Sequence, residues 1–144
     1  MLMYIYLVQQ KKSTYKIFPH DPPNWPTVHS GEVIEIKAPF DCQTAGVLYV
    51  ITCNKSDKKQ YVGQTKRTGD KRCLDHLNTI RNNNPTTTAS VGLHFRSDQH
   101  SHSDMIMTPI ERIFSKNPQI RLARERELIN KFGLIEHGLN KNLW

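Results

Sequence analysis

Cysteine is scarce in this chain. There are three, at positions 42, 53 and 73, an odd number with no C-x-x-C pair. That pattern excludes a disulfide scaffold and points to a reducing compartment inside the cell, the nucleus if the source is eukaryotic. Long apolar runs are missing too. The apolar residues 1–8 form too short a run for a membrane span and have neither a basic start nor a small-residue cleavage site, so they read as a strand. No internal repeat and no low-complexity tract is present, and 144 residues suit one domain with a core of its own. Acidic residues are the minority, with 13 Asp and Glu against 20 Lys and Arg. The net charge of +7 favours a polyanionic partner.

The basic residues are not evenly spread. Between positions 55 and 81 eight Lys and Arg face only Asp57, Asp70 and Asp75. In the same region two β-type runs, residues 46–51 and 61–63, flank a polar linker rich in turn formers, which predicts a β-hairpin. Gly63 closes the second run where the backbone can approach another group closely. Thr68 then offers a cap for a helix starting near Gly69, with Asp70 in its first turn. Cys73, Leu77 and Ile80 define its buried stripe, and Arg72 and His76 share a ridge about 100° to one side. The helix is expected to fray in residues 82–85, and Thr86, Thr87 and Thr88 offer caps for a short second helix reaching about Phe95.

Residues 105–114 predict a third strand, with Pro109 limiting its pairing. Pro118 opens a third helix that buries Ile120, Ala123, Leu128, Ile129 and Phe132 and ends at Gly133. Glu125 shares the face of Leu128 and Ile129, a costly place for a carboxylate that is neither paired nor bound to metal. In the leader, residues 4–8 and 32–37 predict strands, and the prolines of residues 20–26 argue against regular structure between them. Trp25 there reads as a plug at the edge of a small core.

Val47-Leu48-Tyr49, Tyr61-Val62-Gly63, Arg72, His76, Glu125 and Gly138-Leu139-Asn140 follow one another in an order that resembles the GIY-YIG nuclease family. The likeness spans residues 46–140. The wording at 51–55 and 61–65 is most similar to the endonuclease domains of eukaryotic retroelements, Penelope-like and related. The resemblance implies an α+β fold: a small three-stranded antiparallel sheet flanked by helices in residues 46–144, preceded by a β-rich extension in residues 1–45. It also implies a divalent-metal-dependent DNA endonuclease that nicks strands, the alternative being an inactive nucleic-acid-binding module of the same origin. No membrane and no small-molecule cofactor enter this reading.

Carried onto this chain, the resemblance has Tyr49 activate water, Tyr61 and Arg72 position and neutralise the phosphate, and His76 assist through the phosphate or the water. Glu125 would hold Mg²⁺, with Mn²⁺ able to substitute, and Glu127 is the competing carboxylate. Cations at Lys66 and Arg72 would lower the phenol pKa values. Lys66, Arg67, Lys71 and Asn140 would touch DNA. Taken singly, the same residues also read as ordinary strand tyrosines, a surface arginine, a structural histidine and a carboxylate paired with Arg121 or Arg124. Cys42, Cys53, His94, His100 and His102 raise the question of zinc. Serine at position 56, where the resemblance implies a second cysteine, argues against a complete zinc site.

Overall fold

In the computed structural model, the structure describes residues 2–8, 14–20, 25–26, 33–34, 43–55, 59–81 and 90–141. The strands are β1 (Leu2–Val8), β2 (Thr14–His20), β3 (Trp25–Pro26), β4 (Val33–Ile34), β5 (Val47–Cys53), β6 (Gln60–Gln64) and β7 (Met105–Arg112). The helices are α1 (Gly69–Arg81), α2 (Ser90–Arg96) and α3 (Pro118–Lys131).

β5 is buried at all seven positions, because both of its faces are covered. Leu48 and Val50 pack with Val62, Leu128, Ile129 and Phe132 on the α3 side. Tyr49, Ile51 and Cys53 point the other way, into a cluster with Cys73, Leu77, Ile80, Val91 and Phe95 from α1 and α2. The expected hairpin forms, with Tyr49 opposite Gly63 and Ile51 opposite Tyr61. β7 pairs with the other side of β5. Pro109 is accommodated beside a register shift between Leu48 and Tyr49, which leaves β7 one residue longer than its partner there.

These three strands are the antiparallel sheet of the expected α+β fold. The leader adds more to it than its sequence suggested. β1 pairs with β7, and β2, which was not anticipated, pairs with β1, so the sheet order is β2-β1-β7-β5-β6. The proline-bearing tract also contains a strand, since β3 pairs with β4 as a two-residue ribbon. A ribbon that short leaves room for a residue without an N–H. The Trp25 side chain, residues 82–88, Cys42 and Ser56 lie outside the described residues.

α1 starts where the sequence indicated, with the Thr68 hydroxyl donating to Asp70 Oδ1. α3 is capped by Asn117, whose Oδ1 accepts from the Gln119 N–H at 3.0 Å, with Pro118 in the first turn. Glu125, Leu128, Ile129 and Phe132 are buried as expected, and the first half differs. Ile120 is 51% exposed and Ala123 also faces out, whereas Arg121, Glu125, Leu128 and Ile129 form the buried stripe. Gly133, with φ of 62°, ends the helix as expected.

The chain then returns along the free edge of β6. The Leu139 N–H donates to Gln60 O at 2.8 Å. The Asn140 carboxamide accepts from Val62 N and donates to Val62 O, each at 2.9 Å. Gly138 permits this approach, because a Cβ there would sit 2.6 Å from Gln60 O. Asn140 therefore closes an open strand edge. This corrects the expectation of a DNA contact: its side chain is buried and its amide is already bonded to Val62. No helix among the described residues is long and apolar enough to cross a membrane.

Replacing Asn140 with Ala strips both partners from the Val62 peptide groups and should cost about 1–3 kcal/mol. Urea unfolding of wild type and Asn140→Ala checks this, and equal midpoints would show that the clip contributes nothing.

Candidate active site

The site is built on one ring. Tyr49 is 0% exposed and lies across Gly63. A Cβ at Gly63 would fall 2.5 Å from Tyr49 Cζ and 2.8 Å from Tyr61 Cε1, so only glycine leaves the ring its place. From a central strand the phenol thereby reaches over β6, the edge strand of the sheet.

α1 supplies two partners for the phenol. Arg72 Nε donates to Tyr49 Oη at 2.9 Å, and His76 Nε2 lies 2.7 Å from the same oxygen. An arginine can only donate, so the phenol spends a lone pair on Arg72 and has its own proton to offer His76. With the phenol donating, Nε2 accepts and His76 carries its proton on Nδ1; the other tautomer reverses this bond. Both tyrosine rings meet His76 edge-on, with centroids 5.7 Å and 5.9 Å from it. His76 is only 7% exposed, and its described bond is to Tyr49 rather than to a position outside the fold.

Burial dominates the electrostatics. It pushes the His76 pKa down to about 3, with the Arg72 charge acting the same way, so the imidazole is neutral at physiological pH. It drives Tyr49 well above the usual phenol value, helped by Tyr61 and opposed by Arg72. Tyr61 is raised by burial and then by Glu125, again against Arg72. The expected lowering by cations does not occur, because Arg72 opposes desolvation without overcoming it and Lys66 faces solvent.

Glu125 comes from α3, which packs on the other face of the sheet. Its carboxylate still interacts with Arg72 and with both phenols, because the cluster sits at the β6 edge. Glu125 is 4% exposed and its Oε2 has no hydrogen-bond partner. Burial raises its pKa to about 7 against the charges of Arg72, Arg121 and Arg126. A buried carboxylate with an unsatisfied oxygen suits a hard divalent cation, so the residues present fit the implied metal. Glu127 is exposed and bonded at 2.7 Å to Arg124, which also holds Glu111 at 2.9 Å. The pairing of Glu125 with Arg124 is not formed.

Lys66, Arg67 and Lys71 line the exposed start of α1, with Arg67 bonded to Asp75 at 2.7 Å. Away from this cleft, Cys53, His94 and His100 bring their ligand atoms within 4.8 Å of one another. Scattered thiols and solvated imidazoles were expected there, and three chain segments form a cluster instead.

The site is thus a buried phenol held by a guanidinium and an imidazole beside a lone carboxylate, on a small α+β sheet. The GIY-YIG catalytic domain family matches residues 45–140, about two thirds of the chain, and the chain belongs to that family. Its members are nucleases, which makes nucleic acid the substrate class. No curated protein and no solved structure matches the chain.

The raised Glu125 pKa sets a pH dependence. Between about 4.5, the ordinary value, and about 7 the folded protein keeps a proton that the unfolded chain has released, so stability falls as pH rises through that window. Without metal, wild type should lose melting temperature from pH 5 to pH 8 relative to Glu125→Gln, and the variant should melt higher at pH 8. Parallel profiles would refute the buried, unpaired carboxylate.

Proposed function

We propose that this protein is a divalent-metal-dependent DNA endonuclease that hydrolyses one phosphodiester strand per active site and derives from a eukaryotic retroelement. The observation that carries the reading is the Tyr49 hydroxyl fixed between Arg72 and His76 beside the unpartnered oxygen of Glu125. The sequence around the two tyrosines supports the retroelement origin. The buried thiols Cys53 and Cys73 suit a reducing compartment, the nucleus in a eukaryote.

Tyr49 is protonated at neutral pH, so it cannot serve as a ready-made base. It takes the proton of the attacking water as its own is relayed through His76 to solvent, because burial holds the imidazole at a pKa of about 3 and it passes a proton on rather than keeping it; Arg72 stabilises the oxygen between the two transfers. Arg72 uses Nε on Tyr49, and its Nη1 lies 3.8 Å from Asp75 Oδ2, so the scissile phosphate takes the terminal nitrogens in place of that loose ion pair; Tyr61 helps to position the phosphate. Water oxygen bonds to phosphorus, the bond to the 3′ oxygen breaks and that oxygen takes up a proton from solvent, giving 5′-phosphate and 3′-hydroxyl ends. Glu125 would hold the cation, Mg²⁺ with Mn²⁺ able to substitute, which supplies charge neutralisation at the leaving oxygen. Lys66, Arg67 and Lys71 provide contacts to the DNA backbone that carry little sequence preference.

Supercoiled plasmid incubated with Mg²⁺, Mn²⁺ or EDTA tests the proposal, and nicking is expected only with metal. Arg72→Ala should lower the rate on the order of 10²–10³-fold while the protein stays folded. Plasmid binding without nicking under any metal would replace this reading with the inactive binding module. An unchanged rate in folded Arg72→Ala would remove the phosphate clamp.

A further inference from the structure

The buried stripe of α3 carries two charges, and the site described above uses one. Arg121 and Glu125 stand one helical turn apart, 9% and 4% exposed. Opposite charges in this position ordinarily close into an ion pair, since a buried charge with no counter-charge is costly. Here they do not. Glu125 Oε2 has no partner, and the described hydrogen bond of Arg121 runs from Nε to Oε1 of Gln64, the last residue of β6. Arg121 acts on Glu125 only through space.

Gln64 is neutral, so it orients the guanidinium without neutralising it. It also occupies the Nε edge, which leaves the two terminal nitrogens, the pair able to grip two oxygens of one phosphate. Among the described residues the hydrogen bond of this side chain is the one from Nε to Gln64, and Arg121 keeps 9% of its surface exposed. Two opposite charges held close but unjoined fit a site where each meets its own ligand: a cation for the carboxylate and an anion for the guanidinium.

We propose that Arg121, oriented by Gln64, is a second phosphate contact of the site. It takes a backbone phosphate of the nucleic acid other than the one assigned to Arg72. This inference rests on the nuclease reading above.

The test uses the full chain and a fluorescein-labelled DNA duplex in EDTA, where binding is read without cleavage. Arg121→Gln should weaken binding about tenfold and reduce the slope of log K against log salt by about 0.9, the value for one lost phosphate contact. Gln64→Ala and Arg121→Lys keep the charge, so the slope should hold while affinity falls about threefold. With Mg²⁺, Arg121→Gln should raise KM more than it lowers kcat.

Wild-type affinity and salt slope in folded Arg121→Gln would overturn the proposal, as would a loss confined to kcat. Should Arg121→Gln fail to fold, wild-type affinity in both charge-keeping variants overturns it instead. Wild-type protein that never nicks, yet whose salt slope drops on Arg121→Gln, would sink the nuclease reading and leave this contact standing.

Discussion

The contact between the Tyr49 ring and the bare Cα of Gly63 governs the rest of the site. Tyr49 belongs to the central strand, where a side chain would ordinarily end in the core. Without a Cβ at Gly63 the ring can lie across β6 and bring its hydroxyl to the sheet edge. There it meets Arg72 and His76 from one face of the sheet, and Glu125 comes within electrostatic reach from a helix on the other. One missing methyl group lets two layers of the fold address the same point.

The polar groups at that point are held where water cannot solvate them well. Desolvation keeps His76 neutral and both phenols protonated, and it leaves Glu125 near its titration midpoint at neutral pH. Arg72 opposes each of the carboxylate and phenol shifts and wins none of them. Such a site stores unfavourable charge in its resting state, which is tolerable only because the surrounding core is well packed. A cation and a phosphate would relieve it.

The hairpin, α1 and the end of α3 were legible in the sequence because their signals are local: alternation, a cap, a helical stripe, a glycine stop. The residues gathered at the cleft were legible through their order along the chain. The second half of the α3 face was legible as well, with Glu125, Leu128, Ile129 and Phe132 buried as expected, but its first half was not. The buried stripe contains Arg121 and Glu125, and a pattern search prefers apolar Ile120 to a charged neighbour; only contact with Gln64 on β6 decides the rotation. Asn140 was misread for a similar reason, since its partner is a peptide group 78 positions away. The Cys53, His94 and His100 cluster also depends on how separate segments pack. Long-range pairing of this kind leaves no local trace.

The clip that Asn140 places on Val62 bears on the order in which the molecule becomes whole. β6 carries Tyr61 and Gly63, yet the outer edge of that strand is finished only by residues at the far end of the domain. A ribosome releases the hairpin long before it releases position 140, and domains generally fold as units. Until that position emerges, the edge beside the site has open peptide groups. A nascent chain of this protein therefore carries its tyrosines without the finished strand edge until position 140 has emerged.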